Sequence, residues 1–182
     1  MPVYVALLRG INLGGHKLIK MERLRASLGA LGFEQVKTYI QSGNIVFKAP
    51  KISDNALSTK IADKIQSDFG HSVAVIVRTA DEIKRAIANN PFLKNPGVDP
   101  TKLHVMFLSE PPAPSTLERL GTLVVKPDEF RSLGKELYFY LPNGVAESVV
   151  MKKPIDRVLA VTTTMRNWKT TNTIGAMCAD CR

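Results

Sequence analysis

Chemistry-bearing residues are scarce in this chain of 182 residues: two cysteines, three histidines and one tryptophan. A structural zinc site needs four ligands. Cys178 and Cys181 are spaced C-x-x-C at the very end, whereas a redox dithiol of the thioredoxin type sits between a strand and a helix. His16, His71 and His104 show no ligand-pair spacing, so no metal is expected. The pair reads as reduced thiols on a frayed terminus. Long apolar runs are also missing. The opening PVYVALLR and the run VAVIV at residues 73–77 fall far short of the ~20 residues that span a bilayer. The opening run has no basic leader and reads as a strand. No membrane partner and a cytoplasmic location are expected.

Acidic residues are missing from three whole segments: residues 1–21, 35–53 and 157–179. Paired-carboxylate acid–base chemistry and magnesium or calcium sites cannot be staged there. The formal net charge is +9. Residues 1–50 hold seven Lys/Arg against two acids, residues 151–182 hold six against two, and the hundred residues between hold twelve of each. The excess lies in the two ends, and it points to an anionic partner, either a small molecule or nucleic acid.

What is present is an alternating pattern. Residues 3–8 read as a buried strand. Met21, Leu24, Leu28 and Leu31 recur at helical spacing, with Gly32 as a stop. A strand over 36–40, turn chemistry over 41–44 and a returning strand over 45–47 follow. Leu57, Ile61, Ile65 and Phe69 mark a helix capped by Ser53 or Asp54 and ended by Gly70. Residues 72–77 close a β-α-β-β-α-β set, the ferredoxin-like plan. Thr79 and Glu82 form a capping box for a further helix. The loop at 90–97 suggests a boundary, giving subdomains 1–89 and 98–182. The second half reads as a strand over 103–108, a short helix over 115–120, strands near 123–125 and 136–140, and a helix over 148–159 that Pro154 kinks or starts. A short last helix over 172–177 follows. The fold class is α+β, two ferredoxin-like subdomains with the second incomplete.

The stretch RGINLGGHK at residues 9–17 joins the first strand to the first helix. It is not a Walker A loop, because His16 stands where lysine is needed and no hydroxyl follows Lys17. It is not a dinucleotide fingerprint, because Asn12 replaces the middle glycine. Ser42 lies in IQSGN, which is not a hydrolase elbow. A long glycine-rich connector can still present backbone N–H groups to an anion, and Arg9, Lys17 and Lys20 add charge. His16 is a candidate base. The segment 162–171, TTTMRNWKTT, supplies Arg166 for a phosphate or carboxylate and Trp168 for stacking. The candidate ligand-binding residues are Arg9, Asn12, Gly14, Gly15, Lys17, Ser42, Asn44, Arg166, Asn167 and Trp168, expected to meet in one basic cleft between the subdomains. No catalytic residue, cofactor or metal is assigned.

Three motifs, RGINLGGHKLIKM, YIQSGNIVF and TTMRNWKT, resemble the signatures of a bacterial family known as domain of unknown function 1697. The resemblance implies a two-part α+β fold and no established activity. It also implies that Arg9, Gly10, Asn12, Gly14, Gly15, Ser42, Gly43, Asn44, Thr164, Arg166, Asn167 and Trp168 hold characteristic positions, and that the C-x-x-C does not. Three functions compete: a binding module for a nucleotide-like molecule or nucleic acid, an enzyme acting on an anionic small molecule, and a structural protein whose motif residues only fix the fold.

Overall fold

Two four-stranded antiparallel sheets with the same strand order organise the chain. A computed structural model describes residues 1–181; Arg182, the last residue of the expected second subdomain, lies outside the described residues. Contacts divide the chain into one unit of Met1–Arg85 with Thr173–Arg182 and a second of Ala86–Asn172.

In the first unit, β1 (Val3–Leu8) is followed by α1 (Met21–Gly29), β2 (Glu34–Tyr39), β3 (Asn44–Lys48), α2 (Asp54–Phe69) and β4 (Val75–Thr79). The sheet order is β2-β3-β1-β4. Strand alternation sends Tyr4, Ala6, Leu8, Ile45, Phe47, Val75 and Val77 to one face. There they form a core with Met21, Leu24 and Leu28 of α1 and Leu57, Ile61 and Ile65 of α2. Each Leu, Ile, Val, Phe or Met side chain among them, buried on folding, contributes roughly 1.5–3 kcal/mol. Val5, Leu7, Val46, Ile76 and Arg78 alternate onto the other face and are buried too. Ser53 caps α2, its side chain accepting from the Ala56 N–H, and Gly70 ends it in the left-handed conformation. α1 ends at Gly29, earlier than expected, and Gly32 follows in the turn with φ +80°.

The capping box at Thr79 and Glu82 is formed. The Thr79 N–H donates to Glu82 Oε2 at 2.8 Å, and the Glu82 N–H donates to Thr79 Oγ1 at 3.2 Å. It starts α3 (Ala80–Ala88).

The second unit runs β5 (Leu103–Leu108), α4 (Pro114–Leu123), β6 (Glu129–Leu133), β7 (Glu136–Tyr140), α5 (Ile155–Leu159) and β8 (Thr163–Asn167), in the order β6-β7-β5-β8. Its helix-side core joins Met106, Leu108, Leu137 and Phe139 to Leu120, Ile155 and Leu159. Three expectations shift here. Residues 123–125 are not a strand, because α4 continues through Leu123 on its helical apolar spacing, and the strand is β6. The helix expected over 148–159 is split into a 3-10 turn, Val150–Lys152, and α5, because Pro154 cannot sit in a helix interior. The second half also carries its fourth strand: β8 pairs antiparallel with β5, from His104 opposite Asn167 to Leu108 opposite Thr163. Its threonine-rich sequence lacks the apolar run that marks a buried strand. The last helix, α6 (Trp168–Ala179), is longer than expected. Cys178 and Cys181 form no disulfide and are both buried, so the two thiols are packed and do not lie on a frayed segment.

Candidate functional site

The connector between β1 and α1, residues 9–20, is built around a small hairpin. Leu13 and His16 form an isolated antiparallel bridge, with the His16 N–H donating to Leu13 O at 2.9 Å. Gly14 and Gly15 between them have φ of +55° and +80°, the two consecutive positive values that a two-residue hairpin turn of type I′ requires. One residue further out, the Asn12 N–H donates to Lys17 O at 3.2 Å. Ile11 and Ile19 are buried and anchor the two legs, and residues 13–18 are exposed. The amides of Gly14 and Gly15 carry no internal hydrogen bond among the described residues.

Asn12 is the clamp of this loop. Its Oδ1 accepts from the Ile19 N–H at 2.8 Å, and its Nδ2 donates to Ile19 O at 3.1 Å and Gln41 O at 2.8 Å. The last bond ties the loop to the β2–β3 turn. A second tie is the Leu8 N–H to Gly43 O bond at 2.8 Å. Gly43 is buried with φ +82°, and a Cβ there would lie 2.5 Å from Leu8 Cβ. Only glycine fits both conditions. Asn44 is fully buried, its Nδ2 donating to Tyr39 O at 3.0 Å and Ser42 Oγ at 2.9 Å.

A third segment joins at the entry to β4. The Arg9 N–H donates to Ala74 O at 3.0 Å, and Lys17 Nζ donates to Ser72 O at 2.6 Å. Residues 8–20, 40–44 and 71–75 thus meet at one end of the first sheet, and none of the three contains an Asp or Glu. Sequence reasoning linked the first two; it missed the third, for which the acid-free stretch 69–80 was the available signal.

The matching sequence span settles the family. Residues 1–138 match the model of a protein of unknown function, DUF1697. The chain belongs to the DUF1697 family. That span holds the first two motifs; TTMRNWKT lies beyond it. The DUF1697 chain is similar in fold to the conserved bacterial protein SP0830 from Streptococcus pneumoniae, with 24% identity, a TM-score of 0.75, and coverage of 97% of this chain and 98% of that one. No curated protein matches it.

The remaining candidates belong to the second unit or to the start of α6. Arg166 on β8 is buried, and its Nη1 donates to Thr164 Oγ1 at 2.8 Å and Met165 O at 2.9 Å. Burial lowers its guanidinium to about 10. Asn167 Oδ1 accepts from the Thr170 N–H at 2.8 Å and so caps α6, which begins with the half-buried Trp168. No group of three or more potential metal ligands occurs among the described residues. No helix there is long and apolar enough to cross a membrane.

Proposed function

We propose that the DUF1697 chain is a binding module for an anionic ligand, nucleotide-like or nucleic acid, held at the loop of residues 9–20. One comparison within the molecule carries this reading. The two sheets share one strand order, yet the first connector runs over residues 9–20 and its counterpart, between β5 and α4, over residues 109–113 only. Five residues suffice to make that connection; Ile11 and Ile19 tie the longer one into the core, and the exposed residues 13–18 between them are length that the packing does not use. The longer connector carries Arg9, His16, Lys17 and Lys20 and no acid, whereas residues 109–113 contain Glu110 and no cation.

In this reading Gly14 and Gly15 offer backbone N–H groups to the anion, as glycine-rich connectors can. Arg9, Lys17 and Lys20 supply charge. Asn12, Ser42, Gly43 and Asn44 hold the two turns in place. An amide NMR titration with inorganic phosphate, a nucleoside monophosphate and single-stranded RNA tests it. Saturable shifts at Gly14 and Gly15, weakened at least about tenfold by Lys17→Ala with Lys20→Ala, are expected. If RNA is the ligand, its affinity falls steeply with salt. Absence of saturable shifts at this loop with every probe refutes the proposal. A structural role is the second reading, favoured by the full engagement of the Asn12 and Asn44 carboxamides in the loop's own bonds; it predicts lost stability and no ligand.

A further inference from the structure

At the other end of β1 lies an open hollow of about 640 Å³, wholly within the first unit. This volume falls inside the ~300–1,000 Å³ range of small-molecule sites. Pro2, Val3, Tyr4, Thr79 and Ala80 line it together with three charged residues, Lys51, Asp81 and Arg85. Asp81 and Arg85 are four residues apart on α3, so they share a face with Cβ atoms roughly 5–6 Å apart. Even so, they are not bridged to each other, and none of the three charged groups is in an ion pair among the described residues. Two cations and one anion do not suit a simple anion, which Asp81 opposes. Nor do they suit a simple cation, which Lys51 and Arg85 oppose.

We infer that this hollow binds a short zwitterionic peptide with apolar side chains, its ammonium group on Asp81 and its carboxylate on Arg85 and Lys51. The peptide's side chains cover Pro2, Val3 and Ala80. The site lies outside the glycine-rich connector and is independent of the function proposed above.

The test is an amide NMR titration of the full chain with alanyl-leucine, its N-acetyl form and its C-terminal amide. Saturable shifts at Val3, Ala80 and Asp81 are expected with the zwitterion, and each capped form should bind at least about tenfold more weakly. Asp81→Asn should remove the discrimination against the N-acetyl form, and Arg85→Gln that against the amide. Both positions are exposed, and the spectra of the variants report their folding directly. Equal binding of all three forms would mean apolar adsorption and overturn the assignment, as would shifts there only with inorganic phosphate, or no saturable shift at all. The Gly14 and Gly15 amides report the connector in the same spectra, so the two readings fail separately.

Discussion

One methyl group added at residue 43 tests how the two turns are held together. In Gly43→Ala the new Cβ lies 2.5 Å from Leu8 Cβ, 3.0 Å from Leu8 Cγ and 3.1 Å from Ile11 Cδ1, at a φ of +82°. The left-handed backbone costs an L-residue roughly 1–2 kcal/mol. Overpacking a fixed site adds roughly 1–3 kcal/mol, and here Leu8 is a buried β1 residue with little room to move. Reduced freedom of the unfolded chain returns roughly 0.4–1 kcal/mol. The net loss is about 1–4.5 kcal/mol. Gly10→Ala is the control: its φ is +67°, but nothing lies within 4 Å of a Cβ there. It carries only the backbone cost, about 0–1.5 kcal/mol net. With urea m-values of about 2 kcal/mol per molar, the midpoint should fall by about 0.5–2 M for Gly43→Ala and by at most about 0.8 M for Gly10→Ala, with the larger fall in Gly43→Ala. Equal midpoint shifts in the two variants would refute the reasoning, because the difference between them is the steric contact alone.

Asn12→Gly should destabilise the chain by roughly 1–3 kcal/mol and abolish slow exchange of the Ile19 N–H, since it relieves the φ of +53° but removes the side-chain bonds to Ile19 and Gln41; wild-type stability would show that they hold nothing. Ser148→Ala should cost roughly 1–3 kcal/mol in urea melts, because Ser148 Oγ donates to Asp128 Oδ2 at 2.6 Å and both residues are buried. His104 is a pH prediction: burial holds its imidazole below the ordinary 6.5, and its Nδ1 has no partner, so the native state favours the neutral form. That stability is complete above 6.5 and is lost as pH falls through the lowered native value, so His104→Asn should flatten the decline below pH 6.5, and parallel curves would refute it.

The first unit was legible because its signals are local and mutually consistent. Leu57, Ile61 and Ile65 repeat at helical spacing between Ser53 and Gly70, and both caps form as the sequence implies. The second unit was less legible because its elements are defined by partners. Thr163 and Thr164 carry no apolar pattern of their own, and what makes residues 163–167 a strand is pairing with β5. Residues 129–133 have one strongly apolar position, Phe130, before the terminal Leu133, and become β6 by pairing with β7. At the candidate site, the acid-free stretches and the glycines of the connector were readable. The roles of Asn12 and Asn44 were not, because all but one of the partners named above are backbone groups, at Ile19, Gln41 and Tyr39, which sequence does not distinguish from any others.

The shared strand order gives Arg166 a meaning that its motif alone does not. On β4, Arg78 stands opposite Val5 of β1; on β8, Arg166 stands opposite Val105 of β5. Both guanidinium groups are buried, and each donates from Nη1 to the carbonyl of the residue before it, Val77 at 3.0 Å and Met165 at 2.9 Å. Each arginine is followed directly by a side-chain cap that starts a helix, Thr79 for α3 and Asn167 for α6. The segment TTMRNWKT is therefore the second unit's counterpart of VIVRTADE, and an arginine on that strand recurs in both halves. A feature common to both units is accounted for by the fold they share. The long basic connector occurs in one unit only, and that asymmetry is why the proposed anion site is put there and not at Arg166.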